Sequence, residues 1–377
     1  MIPTARRWAW GLTLVSLGAM VGCTAPVSRP TPAEIPAVTV RQELTVRALP
    51  IELGAVQFSL GLTARQQRLA LADSGGRVLL LDTESLRVLW RAETGAALQA
   101  AAGTDGRDVA VISRAGRLLV LSEGQLRWQQ QLTSEAFTAP LVAGGRVFVL
   151  GADRSVSAFD AQTGTRLWQR TRPGEPLVLR EAGVLQTQGE RVVASHSGRL
   201  QALNPDTGVP LWEAVVSVPR GVNDMERLVD LLGPAPRIGD QLCVRAFQTQ
   251  VACLSGTTGQ LLWSRAIPGE CAVAADTDRV YVILANGSIQ ALRRTDGERV
   301  WESDRLKYRQ LGPIWRLAKT VLVSDSGGWV YALDPTSGEL QNRLRLTDEP
   351  VAGAIVLDPQ RSLVVTRSGR VFEIKTP

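Results

Sequence analysis

Histidine is nearly missing from this chain: His196 stands alone among 377 residues. One imidazole cannot build a multi-histidine metal site or two acid–base relays, so most hydrolase and metalloenzyme readings lose their usual parts. His196 itself lies in Ser195-His196-Ser197-Gly198 and is expected to be a solvated turn residue. No run of lysine and arginine occurs, and basic residues do not interleave with aromatics. The formal net charge is +6, and setting Arg6 and Arg7 aside with the leader described below leaves 40 basic against 36 acidic side chains. That excess is too small and scattered to argue for nucleic acid. Charged heptads are absent, and the four cysteines include no adjacent pair. The apolar run Trp8 to Val21 is too short to span a bilayer comfortably.

That run fits an export leader over residues 1–22, with Arg6 and Arg7 as its positive start. It ends Leu17-Gly18-Ala19-Met20-Val21-Gly22-Cys23, which resembles a bacterial lipobox. In that pattern Cys23 is lipidated and becomes the mature N-terminus; the alternative is an ordinary secretory leader that contains a cysteine. Thr24, where an aspartate would retain a lipoprotein at the inner membrane, favours the outer membrane and a periplasmic orientation. Residues 23–37 carry Pro26, Pro30, Pro32 and Pro36 and read as a semi-rigid tether. At ~3.1 Å per residue, its proline-rich part would hold the folded part ~30–40 Å off the lipid.

What is present in abundance is a repeat. Ser155 to Trp168 reads as a short alternating strand, a turn on Asp160 and Gly164, and a second strand ending in tryptophan. It recurs at Arg199 to Trp212, Gln250 to Trp263 and Ser288 to Trp301, with degenerate copies at Arg77 to Trp90 and Arg117 to Trp128. A further copy, Trp329 to Asn342, ends in asparagine. The final positions step by 38, 40, 44, 51, 38 and 41 residues. A period near forty built from strands indicates an all-β fold, a β-propeller with one four-stranded antiparallel blade per repeat. Glycine and asparagine in the middle hairpins, as in Asn286-Gly287, supply the positive φ that tight turns need. Each tryptophan is expected to wedge between blades, a structural role.

The ends of the chain complement each other. Glu43 to Leu49 reads as a strand without a partner hairpin, and Pro350 to Ile374 supplies only three strands. Pairing them closes the ring and removes its open edges, which predicts an eight-bladed propeller over residues 38–377; seven blades remain the alternative, because the first repeat is degenerate. Cys243 and Cys253 flank Val244 to Ala252 symmetrically about Gln248, so a hairpin sets them face to face. In an oxidising compartment a cross-strand disulfide is expected, leaving Cys271 as a buried thiol.

The Asp160–Gly164 turn with Trp168, the Asp334–Gly338 turn, and Asn204–Gly208 with Trp212 resemble the pyrroloquinoline-quinone-type propeller repeat. With the lipobox and the proline-rich segment, the whole chain is similar to the BamB family of outer-membrane assembly factors. That resemblance implies a non-enzymatic lipoprotein of the outer-membrane β-barrel assembly (BAM) complex, without cofactor or metal. It implies binding to the periplasmic POTRA domains of BamA, indirect association with other subunits of the complex, and assistance to barrel insertion, with unfolded barrel proteins as further clients. Pro176-Leu177-Val178-Leu179-Arg180 matches the family's Leu-x-Leu-Arg contact segment. Val218 to Pro236 matches its interblade loop, where two acidic residues serve the same contact. Asp230 matches the first of them, and Leu232 stands in place of the second.

Independently of the family, Leu177 and Leu179 offer apolar anchors and Arg180 a planar guanidinium for a carboxylate. Leu228, Leu231 and Leu232 make a candidate exposed apolar patch on the rim. Both stretches read equally as core, since Leu-x-Leu is ordinary in a blade. Two other functions compete: a quinone-dependent dehydrogenase, which needs a bound calcium ion, an aspartate base and usually a vicinal disulfide, and a periplasmic sensor or structural propeller with another partner.

Overall fold

Alternating apolar and polar residues, broken every few positions by glycine, leave each repeat able to bury only one flank of a small sheet. A computed structural model describes residues 30–377 apart from 33, 36, 37, 63, 173–176, 221 and 225. The leader, Cys23 and Pro176 lie outside the described residues. Among those described, all regular structure is strand, arranged in eight antiparallel sheets. Blade 3 is typical: Leu141–Ala143, Arg146–Leu150, Val156–Asp160 and Arg166–Arg170 run from centre to rim. Its second and third strands are almost wholly buried, while the rim strand is partly exposed. Seven blades, numbered in chain order, form this way from consecutive strands.

Blade 8 is composite. Val351–Asp358, Arg361–Thr366 and Val371–Lys375 are completed by Thr45–Ala48, paired antiparallel with Val371–Lys375. The expected closure of an eight-bladed ring is therefore what the chain adopts. The segment ahead of the closing strand also belongs to the propeller, since Ile35 is buried in the same cluster as Trp301 and Leu333. Arg343 donates to the Ile35 carbonyl at 3.1 Å, and the Arg41 amide donates to Gln341 O at 3.0 Å. Contact with the blades thus begins within the stretch read as tether.

The seams between blades explain the tryptophans. Asp160 Oδ1 accepts the amides of Gln162 and Thr163, and the Gly164 amide returns to Asp160 O, closing a turn with Gly164 at φ +73°. Trp128 of the preceding blade packs on that glycine and donates its indole N–H to Ala161 O at 2.9 Å. A Cβ on Gly164 would lie 2.6 Å from the indole ring. The same joint recurs as Trp168 on Gly208, Trp212 on Gly259, Trp263 on Gly297 and Trp301 on Gly338. At the seam of blades 7 and 8 the equivalent turn does not exist, because the chain ends there and restarts as the closing strand. Asn342 instead donates to Gln42 O at 2.8 Å.

Blade 5 departs from the pattern. Leu231–Leu232 and Arg237–Ile238 both pair with Gln241–Ala246, giving five strands. Cys243 and Cys253 stand opposite each other in the next ladder, with Cα atoms 4.1 Å apart and a disulfide between them. Cys271 is a free thiol, and burial raises its pKa.

Candidate functional site

The connections from each rim strand to the next inner strand lie on one face, together with the hairpins joining second and third strands. The segment carrying Leu177, Leu179 and Arg180 is such a connection, from blade 3 to blade 4; Asp230 closes the next one. Leu177 to Arg180 is not a strand: no ladder partner holds it, so its shape comes from side chains beneath it. Leu177 is 38% exposed and Leu179 half-buried. The Arg180 side chain is 77% exposed, with its guanidinium 5.5 Å from the Phe137 ring centroid and 3.7 Å from Glu135.

Asp230 does not point outward. Its Oδ2 accepts the Leu179 amide at 2.8 Å, and its Oδ1 lies 3.4 Å from Arg154 Nη1. Leu228, Leu231 and Leu232 are all buried, which corrects the reading of an exposed apolar patch. Leu231–Leu232 pairs with Gln241–Ala246 as an inner strand, and the sheet needs its side chains inside. Among the described residues of this connection, the exposed apolar ones are Val218 and Val222, the latter 97% exposed. A short turn shapes that loop: Asn223 and Glu226 exchange hydrogen bonds of 2.9 Å, and the Val222 amide donates to Glu226. Sequence reading missed these valines, because no periodic pattern marks an isolated apolar loop residue.

His196 is also corrected. It closes Arg191–His196 and is buried, not solvated. Desolvation pushes its pKa down to about 4, with Arg172, Arg199 and Arg154 adding to the shift against the opposing Glu213. It lines a small cleft of about 60 Å³ with Arg154, Leu179, Asp230 and Leu231, beneath the Leu177–Arg180 segment.

A larger cavity of about 370 Å³ occupies the centre of the ring, lined by Leu60, Glu181, Glu270, Cys271, Leu311 and Arg367 among others. The propeller repeat raises the question of a calcium-bound quinone there. Among the described residues, no group of three or more His, Cys, Asp or Glu side chains is placed to share a metal ion. Cys271 stands alone in the wall, and Cys243 and Cys253 are joined to each other. These side chains do not fit that group.

Comparison with known proteins agrees with the geometry. A family model described as outer membrane protein assembly factor BamB matches residues 74–303 and 249–376. The factor of that name from Bordetella pertussis is 31% identical over 386 residues, covering 98% of this chain and 97% of its own. Its namesake from Burkholderia pseudomallei is 32% identical over 320 residues, covering 84% of each chain. The crystal structure of BamB from Moraxella catarrhalis superposes with a TM-score of 0.77 at 21% identity, covering 87% of this chain and 100% of that one. A quinohemoprotein alcohol dehydrogenase from Comamonas testosteroni reaches a TM-score of 0.62 at 12% identity, covering 86% of this chain and 75% of its own, which is a likeness of fold alone. A family match across most of the propeller, and relatives aligned along nearly its whole length, place the chain in one family: it belongs to the BamB outer-membrane protein assembly factors.

Proposed function

We propose that this chain is a non-enzymatic scaffold of the outer-membrane β-barrel assembly complex, docking the POTRA domains of BamA through the Leu177–Arg180 segment. Leu177 is the apolar anchor, Leu179 its half-buried support, and Arg180 the guanidinium that meets a partner carboxylate. One observation carries this reading: an exposed leucine and a mostly exposed arginine lie three residues apart on a segment without a ladder partner. Family membership supports it, since the relatives are named as assembly factors. The protein sits at the periplasmic side of the outer membrane, held by a lipid on Cys23. No helix of the described residues is long and apolar enough to cross a membrane. Other subunits are reached indirectly through BamA. Rim strands with exposed Leu89, Leu167 and Leu211 offer edges to which an unfolded barrel segment adds as a further strand.

Leu177→Asp combined with Arg180→Glu should abolish co-purification with BamA while thermal stability stays nearly unchanged. A large fall in melting temperature would show that these side chains are packing, and the docking assignment would fail. Cys23→Ala should release the protein from the membrane fraction; retention contradicts the lipid anchor.

A further inference from the structure

We infer that Arg154 and Asp230 are positioning residues for partner docking: a largely buried ion pair beneath the Leu177–Arg180 segment that sets its shape without reaching the partner. The inference rests on the docking reading above and reassigns Asp230, which family resemblance makes a contact residue.

In blades 1, 2, 6, 7 and 8 the corner of the hairpin between second and third strands is Gly76, Gly116, Gly287, Gly328 and Gly369. Each has positive φ and donates its amide to the carbonyl three residues earlier. In blade 3 the same corner is Arg154, with φ +64° and its amide 3.0 Å from Gly151 O. A residue with a Cβ is disfavoured in that region, and backbone geometry alone would select glycine. What arginine adds there is its side chain.

That side chain is 5% exposed and runs under the docking segment. Nη2 donates to Leu177 O at 3.2 Å, while Nη1 lies 3.4 Å from Asp230 Oδ1. Asp230 Oδ2 accepts the Leu179 amide at 2.8 Å. The carbonyl before Val178 and the amide after it are therefore both tied to the pair. These two bonds fix the backbone on either side of Val178, and with it the direction in which Leu177 leaves the segment. Ser59, on the connection from the closing strand, donates to the Glu181 carboxylate and holds the segment's far end. A segment without a strand partner would otherwise be ordered only on binding, at a cost in affinity that preorganisation removes.

The test uses the purified full chain without its leader, and the periplasmic domains of BamA, in calorimetry and hydrogen exchange. Asp230→Ala and Arg154→Met should each weaken binding about tenfold or more, the scale of losing an ordered segment. In the free protein, amide exchange should rise at residues 177–181 and stay unchanged in the strands of blades 4 and 5. Asp230→Asn, which keeps an acceptor for the Leu179 amide, should recover part of the affinity. Where a single variant fails to fold because it strands a buried charge, Arg154→Met with Asp230→Leu removes both charges and should fold yet bind weakly. Positioning also requires that the double variant bind no more weakly than the worse single; an additive loss would mean that Asp230 touches the partner, overturning the inference. Wild-type affinity in these variants, with binding still abolished by Leu177→Asp and Arg180→Glu, overturns it too and leaves docking intact. A wild-type chain that does not bind BamA defeats the docking reading, and this inference with it.

Discussion

His196 closes a buried strand with its Nδ1 left without a hydrogen-bond partner. Burial pushes its pKa from 6.5 to about 4. The unfolded chain therefore takes up this proton below about pH 6.5, whereas the folded chain resists until about pH 4. The stability associated with the neutral ring is fully present above pH 6.5 and is lost as pH falls toward 4. The loss amounts to about 3 kcal/mol at most, at 1.36 kcal/mol per unit. Urea unfolding of wild type and His196→Gln across that range should show a smaller decline for the variant; parallel curves would refute the account. Nothing near His196 in sequence announces this. Ser197-Gly198 does make a tight hairpin, but the ring's burial comes from residues of the blade 3–4 and blade 4–5 connections.

At the scale of the element, the repeating joint is a tryptophan seated on the next blade's turn glycine. Gly208 has φ +68°, and a Cβ there would lie 2.6 Å from the Trp168 ring. Gly208→Ala meets both a disfavoured backbone region and an occupied space, so it should cost about 2 kcal/mol or more. A shift of the urea midpoint measures it, and an unshifted midpoint would falsify the wedge. The wedging tryptophan and the turn glycine were legible in the sequence because each recurs at fixed spacing within the repeat, though their pairing across the seam was not. The connections between blades were not. Asp230, Leu231 and Leu232 follow one another, yet the aspartate turns under a neighbouring loop and the leucines enter a sheet. Only contacts with Arg154 and Leu179, 76 and 51 residues away, distinguish those fates.

At the scale of the whole molecule, the ring depends on four residues, Thr45–Ala48, all exposed. Their strongest link is Arg47, directly opposite Glu373 in the ladder, with Nη2 2.8 Å from its carboxylate. Glu373 is fully buried, and Arg361 at 3.7 Å and Lys375 at 3.5 Å share it. Glu373→Gln removes the charge that all three cations face. It should cost about 1–3 kcal/mol, the scale of an unsatisfied buried group. Amide exchange at residues 45–48 should rise before that of the inner strands; uniform exchange would show that closure is not limiting.

The sequence left eight blades against seven open; by itself it determined the propeller repeat, its turn, the wedging role of the tryptophans and the closing strand. These follow from near-neighbour chemistry: alternation of apolar residues, positive φ at glycine, and an orphan strand matched by an incomplete blade. Tertiary structure alone decided which side chains of the connecting loops face water. A loop has no period to set its sides, so Leu177 and Arg180 point outward and Asp230 inward only because a buried arginine from the preceding blade's hairpin holds the backbone between them.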